Sequence, residues 1–300
     1  MTTVRVLRPR TLDEALEMKA AHPEAVPIAG GTDLMVELNF DRRRPEALMD
    51  ISRLPELRRW ACENGTIFLG AGVTFTRIIA ELAGFIPLAQ ASRSVGSPQI
   101  RNRGTVGGNL GTASPAGDAL PVLAAYEAEV VLSTARGGSR AVPWERFLVG
   151  PKKTTLEPDA LVLGARWRVL RGPGSFSKVG PRNAMVIAIA SLCLAVDEER
   201  RAVRVALGSV GPTIIRTSAA EAQIARALAR GGTWDDPAQP VAAGDIEEFS
   251  DRVAEAARPI DDVRGTAAYR RHACAVLARR ALSWALADRA RPAPGTRRSV

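Results

Sequence analysis

The sequence predicts an α+β chain, on three observations. The first fifty residues alternate short apolar runs with helical stretches, at the spacing of a small parallel unit. Two loops rich in glycine interrupt the N-terminal half. Beyond residue 171, three apolar runs separated by turn residues give way to helical periodicity.

Taken in order, residues 4–7 read as a short strand, and Thr11-Leu12-Asp13-Glu14 opens a helix over 12–21 with apolar positions at 12, 15, 16 and 20. Residues 26–29 form a strand that enters Gly30-Gly31. Residues 34–38 are helical and 47–51 extended, which completes β-α-β-α-β. A second unit opens near Trp60, with a strand at 66–69 closed by a turn at Gly70 to Gly72. Thr74 caps a helix to residue 82, and a helix at 87–94 leads to the second glycine loop. Then follow a helix at 120–126, a strand at 129–133, a hairpin turn at Gly137-Gly138, a returning strand at 140–142, a helix starting at Trp144, and a strand at 160–169.

Arg171-Gly172-Pro173-Gly174 breaks both kinds of regular structure and marks a domain boundary. After it come strands at 175–179, 187–196 and 201–209, an antiparallel meander, and helices at 217–229, 244–257 and 265–287. The expected organisation is therefore 1–58, 59–170 and 171–287, with a disordered basic tail over 288–300.

Composition narrows the chemistry. With 300 residues, 46% of them hydrophobic, the chain can bury a substantial core without staples. Cys62, Cys193 and Cys274 lie far apart with no C-x-x-C pair, so each reads as a buried small hydrophobe, and neither a disulfide framework nor a metal site is expected. The two histidines, His22 and His272, are isolated. A net charge of +9 raises nucleic acid as a partner, but the arginines are scattered among 32 acidic residues and no DNA-binding motif appears. Arg42-Arg43-Arg44, the densest early basic cluster, suits a subunit contact or a phosphate, and its default reading is a surface loop before Pro45. No apolar run spans a membrane and no signal peptide opens the chain, which places the protein in the cytoplasm.

The glycine loops carry the chemistry. In Arg101-Asn102-Arg103-Gly104-Thr105-Val106-Gly107-Gly108-Asn109-Leu110-Gly111, four glycines fall within eight positions, and Pro27-Ile28-Ala29-Gly30-Gly31-Thr32-Asp33-Leu34 has the same character. Glycine lets bare amides approach a ligand, and successive N–H groups suit phosphate oxygens. Each loop alone reads equally as a tight turn; two of them with threonines read as walls of one site for a ligand bearing a diphosphate. Neither is a Rossmann or Walker loop, since neither spacing fits G-x-G-x-x-G or G-x-x-x-x-G-K-[ST].

At these loops the chain resembles the FAD-binding medium subunits of the molybdenum hydroxylases, the family of xanthine dehydrogenase and aerobic carbon monoxide dehydrogenase. The resemblance rests on residues 27–34, on Ser97-Pro98-Gln99-Ile100-Arg101-Asn102 followed by Thr105-Val106-Gly107-Gly108-Asn109, on Thr112-Ala113-Ser114-Pro115-Ala116-Gly117-Asp118, and on Phe176-Ser177-Lys178-Val179-Gly180. It implies a two-subdomain FAD-binding fold of the vanillyl-alcohol oxidase class, followed by a small C-terminal domain with a three-stranded antiparallel sheet and helices.

By similarity, the amides of Ala29 to Asp33 and of Thr105 to Asn109 hold the pyrophosphate, with the Thr32 and Thr105 hydroxyls assisting. The cofactor-binding set is then Pro27, Ile28, Ala29, Gly30, Gly31, Thr32, Asp33, Leu34, Thr105, Val106, Gly107, Gly108, Asn109, Thr112, Ser114, Asp118, Val162 and Lys178. Asp118 would accept from ribose hydroxyls, cap the helix at 120–126, or do both. Lys178 would stand near the flavin; its other reading is a solvated strand lysine. Gly104, Gly111 and Gly117 depart from the larger residues common in relatives. No catalytic residue is assigned to this chain, because the resemblance places substrate oxidation at a molybdenum cofactor in a large subunit. Electrons then cross two [2Fe-2S] clusters in a small subunit to the FAD, and from there pass to an external acceptor, in a complex expected to be a dimer of heterotrimers. A stand-alone flavin oxidase and a non-redox nucleotide-binding module are the alternative readings.

Overall fold

The computed structural model describes residues 4–291. The chain opens with β1 (Arg5–Leu7), α1 (Leu12–Ala21), β2 (Val26–Ile28), α2 (Leu34–Asn39) and β3 (Ala47–Asp50). The Thr11 hydroxyl caps α1 by accepting from the Glu14 amide. The three strands pair in the order β1-β3-β2, both pairs parallel, with Arg5 opposite Ala47 and Val26 opposite Leu48. A small core of Ala15, Leu16, Met49, Leu54 and Leu57 lies beneath.

A 3-10 turn at Glu56–Arg58 leads to β4 (Trp60–Glu63), β5 (Thr66–Gly70), α3 (Phe75–Glu81), α4 (Ile86–Ser94), α5 (Pro98–Arg103), α6 (Val106–Thr112) and α7 (Ala119–Ala125). Then come β6 (Glu129–Thr134), β7 (Gly138–Pro143), α8 (Trp144–Phe147), β8 (Leu148–Gly150), β9 (Lys153–Thr154) and β10 (Leu161–Arg168). Strands β4-β5-β10-β6-β7 form one antiparallel sheet in that order. The second glycine segment, expected as an open loop, is helical on both sides of Gly104. The Ser97 hydroxyl caps α5 and the Thr105 hydroxyl caps α6. Tertiary contact overrides glycine's poor helix propensity here, because Val106 and Leu110 are fully buried one turn apart. Cys62, expected inside, is exposed on β4.

The C-terminal part holds β11 (Gly174–Val179), β12 (Ala190–Asp197), β13 (Ala202–Gly208), β14 (Ile215–Arg216), α9 (Ser218–Arg230), α10 (Ala243–Ala256) and α11 (Ala267–Ala290). The expected three-strand meander forms, and the two residues of β14 add a fourth strand. Strand β12 starts at Ala190 rather than 187, leaving Ile187 exposed. Helix α11 continues to Ala290, so residues 288–290 are helical rather than part of a disordered tail; the remainder of that tail, 292–300, lies outside the described residues.

Every residue of β12 is buried, which requires cover on both faces. Cys193 and Ala195 pack into the core shared with α7, whose seven residues are all buried. Leu192, Leu194 and Val196 pack against α9, α10 and α11. One sheet is thus a wall common to two cores. The guanidinium of Arg270, only 2% exposed, pins the edge of this wall by donating to the Ile189 and Ser209 carbonyls at 2.6 and 2.8 Å and to Asp262 at 2.7 Å. No helix among the described residues is long and apolar enough to cross a membrane.

Candidate cofactor cleft

A cleft of about 550 Å³ runs between the two N-terminal sheets and reaches β11. Of the residues singled out from the sequence, all line it except Val106, which is fully buried in the core beneath α6.

The first loop leaves β2 and turns at Gly31, whose φ of +76° lies in the left-handed region. Gly30 has no alternative residue, since a Cβ there would lie 2.1 Å from the Arg103 carbonyl oxygen. The two glycine segments therefore touch backbone to backbone. Among the described residues, the amides of Gly30, Gly31, Thr32 and Asp33 find no acceptor within the protein. They are donors left for a ligand.

The second segment is different. The amides of Gly107 and Asn109 donate to the carbonyls of Ala71 and Thr105 at 3.0 and 3.1 Å, that of Val106 to Val73 at 3.4 Å, and that of Gly108 to the Thr105 hydroxyl at 3.0 Å. What this segment presents is a bare surface. A Cβ on Gly111 would meet nothing within 4 Å, whereas one on Gly107 would strike Ala71 at 2.4 Å. Gly107 lets the helix sit on β5, and Gly108 and Gly111 keep its outer side free of side chains.

At the far end, Asp118 and Lys178 form a buried ion pair, with Nζ 2.6 Å from Oδ2 and side chains 5% and 9% exposed. Lys178 is therefore not a solvated strand lysine. Its ammonium also donates to the Ser94 carbonyl at 3.0 Å, and the Ser94 hydroxyl lies 3.0 Å from the same Oδ2. Asp118 sits at the start of α7 but in helical conformation, with no cap hydrogen bond, so it does not cap. Burial pushes its carboxyl above the usual aspartate range, with Lys178 and Ser94 pulling the other way. Its second oxygen, Oδ1, is buried in the cleft without a hydrogen-bond partner.

Two links cross the cleft between the N-terminal sheets. The Thr112 hydroxyl donates to Asp33 at 3.2 Å, and Lys152 Nζ donates to Glu37 at 2.5 Å, with Arg43 3.9 Å from the same carboxylate. Sequence reasoning missed Glu37 and Lys152, which belong to no motif, and took Arg43 by default as one of a surface run, with a phosphate or a subunit contact as the other reading. The only signal for Glu37 was its place one helical turn after Asp33.

Free amides, glycine surfaces open to backbone approach and an orphaned buried acceptor beside an ammonium suit a ligand that carries a diphosphate and hydroxyls. Apolar side chains of Ile28, Phe75, Leu161 and Val162 add a wall for a flat ring. These residues fit a flavin dinucleotide.

Known proteins agree. Residues 2–166 match the FAD binding domain in molybdopterin dehydrogenase, and residues 175–285 match the CO dehydrogenase flavoprotein C-terminal domain. The chain is 36% identical over 231 residues to caffeine dehydrogenase subunit beta of Pseudomonas sp. (strain CBB1), covering 73% of this chain and 77% of that protein. It is 29% identical over 287 residues to the carbon monoxide dehydrogenase medium chain of Hydrogenophaga pseudoflava, covering 93% and 96%. Its structure superposes on a chain of carbon monoxide dehydrogenase from Hydrogenophaga pseudoflava with a TM-score of 0.83 at 26% identity, covering 95% and 97%.

Proposed function

Because the chain belongs to the family of FAD-binding subunits of the molybdenum hydroxylases, and is by that membership an FAD-dependent oxidoreductase subunit, we propose that it is the electron-transfer subunit of a complex. It takes electrons from [2Fe-2S] clusters in a partner subunit and passes them to an external acceptor, while substrate is oxidised at a molybdenum cofactor in a third polypeptide. The assembly is a cytoplasmic dimer of heterotrimers. When bound, the flavin supplies a carrier that accepts and releases electrons.

The work of this chain is to bind and orient. The amides of Gly30 to Asp33 donate to the diphosphate; the bare outer side of α6 at Gly108 and Gly111 lets it approach closely, and the Thr32 and Thr112 hydroxyls stand beside it. Asp118 Oδ1 accepts from a ribose or ribityl hydroxyl, held in place because Lys178 and Ser94 occupy Oδ2. The Lys178 ammonium, donating to Asp118 Oδ2 and to the Ser94 carbonyl, would hold that carboxylate in place at the β11 end of the cleft when the flavin is bound. The observation that carries the reading is that both glycine segments and the Asp118–Lys178 pair line one cleft.

An absorption spectrum of the protein produced together with its complex partners tests it. A flavin band whose chromophore is released by heat as FAD, with iron-sulfur absorbance in the co-purifying assembly, is the expected result. A colourless assembly that fails to take up FAD would end the assignment.

A further inference from the structure

Lys152 has an unusual backbone. It lies in the turn between β8 and β9 with φ at +55°, a conformation that costs a residue with a Cβ. Its amide donates at 3.0 Å to the carbonyl of Ala113, itself left-handed at φ +48°, just past the end of α6. Two strained non-glycine residues thus hold each other at the rim of the cleft, and strain of this kind persists where the surrounding structure fixes it. The result is an ammonium aimed across the cleft at α2.

Three carboxylates, Asp33, Glu37 and Asp118, and three cations, Lys178, Lys152 and Arg43, line the cleft. Lys178 is committed to Asp118 inside the wall. Lys152 and Arg43 both lie against the carboxylate of Glu37, at 2.5 and 3.9 Å, while Asp33 accepts from the Thr112 hydroxyl at 3.2 Å. Glu37 is 23% exposed, Lys152 58% and Arg43 48%. Contacts this wet are weak and easily exchanged. All three groups line the same cleft as the free amides of Gly30 to Asp33.

Resting on the FAD reading above, we propose that Lys152 and Arg43 form a cationic wall for the diphosphate, and that Glu37 is a placeholder anion which holds them in position until the diphosphate displaces it. The amide loop then meets the diphosphate from one side and the two cations from the other. The Glu37–Lys152 link between the two N-terminal sheets is exchanged on binding for links from each of them to the ligand.

The full chain, stripped of flavin, is titrated with FAD and followed by quenching of flavin fluorescence. Lys152→Met weakens FAD binding about fivefold, the weight of one partly exposed charged contact, and flattens its dependence on salt. Lys152→Arg restores the affinity. Glu37→Gln tightens FAD binding, and the gain shrinks when Lys152→Met is also present. Apo-protein melting temperatures equal to wild type show that the variants fold. Lys152→Met within twofold of wild type, or a Glu37→Gln protein that melts normally yet binds FAD more weakly, would overturn the proposal. A wild-type chain that takes up no FAD would instead remove the reading it rests on.

Discussion

Lys178 and Asp118 show what a buried pair demands of single residues. Sixty positions apart in sequence, they meet at 2.6 Å in the cleft wall. Both were singled out as site candidates from the motifs around them, and both line the cleft. Their pairing was not legible, because it depends on β11 lying against α4 and the start of α7, a contact that no local pattern encodes. Removing one partner strands the other. Lys178→Met leaves the Asp118 carboxylate buried and uncompensated, and we expect the apo protein to lose about 3 kcal/mol in urea unfolding near neutral pH. The sign with pH follows from burial: a carboxyl whose folded-state pKa is raised contributes most to stability below the unfolded value, about 4, and loses that contribution as pH rises through the folded value. The deficit of Lys178→Met should therefore grow from acidic to neutral pH. Adding Asp118→Asn should restore part of the loss, whereas equal deficits in the single and double variants would show that the pair is unimportant.

At the scale of elements, α6 departs furthest from what the sequence suggests. Three glycines in seven residues argue against a helix on propensity alone. Thr105, expected beside the diphosphate, caps the helix; the close approach of Gly107 to Ala71, which makes glycine obligatory there, was not legible, because it depends on a partner strand. The individual glycines should respond in opposite ways. Gly107→Ala forces a methyl into Ala71 and lowers the melting temperature. Gly111→Ala meets no obstacle and should raise apo stability by about 0.5–1 kcal/mol, while its methyl projects from the bare side of the helix and weakens FAD binding. Thermal melts and FAD titrations of both variants check this; a Gly111→Ala protein with undiminished FAD affinity would place the ligand away from α6.

For the whole molecule, much of the plan was written in alternation and turn residues. The parallel character of the β1 to β3 unit and the meander from β11 to β13 follow from the spacing of apolar runs and the turns between them, whereas the order β1-β3-β2 is set by packing that spacing does not encode. The role of β12 as a wall shared by two cores does not follow from spacing either. A continuous apolar run announces burial on both faces but is silent about what covers each. Nor could two residues announce β14, which owes its strand geometry to the β13 edge beside it.

That shared wall turns the three cysteines into a clock for unfolding. Cys62 is exposed on β4, Cys193 looks from β12 into the core of α7, and Cys274 lies in the helical core on the opposite face, where burial pushes its thiol up to about 12. A thiol reagent pulsed into the native protein should mark Cys62 at once. Because opening either core strips one face of the same strand, Cys193 and Cys274 should become reactive together as urea rises. Labelling of Cys274 at a lower urea concentration than Cys193, read by mass spectrometry, would mean that the helical layer peels away and leaves the flavin half standing.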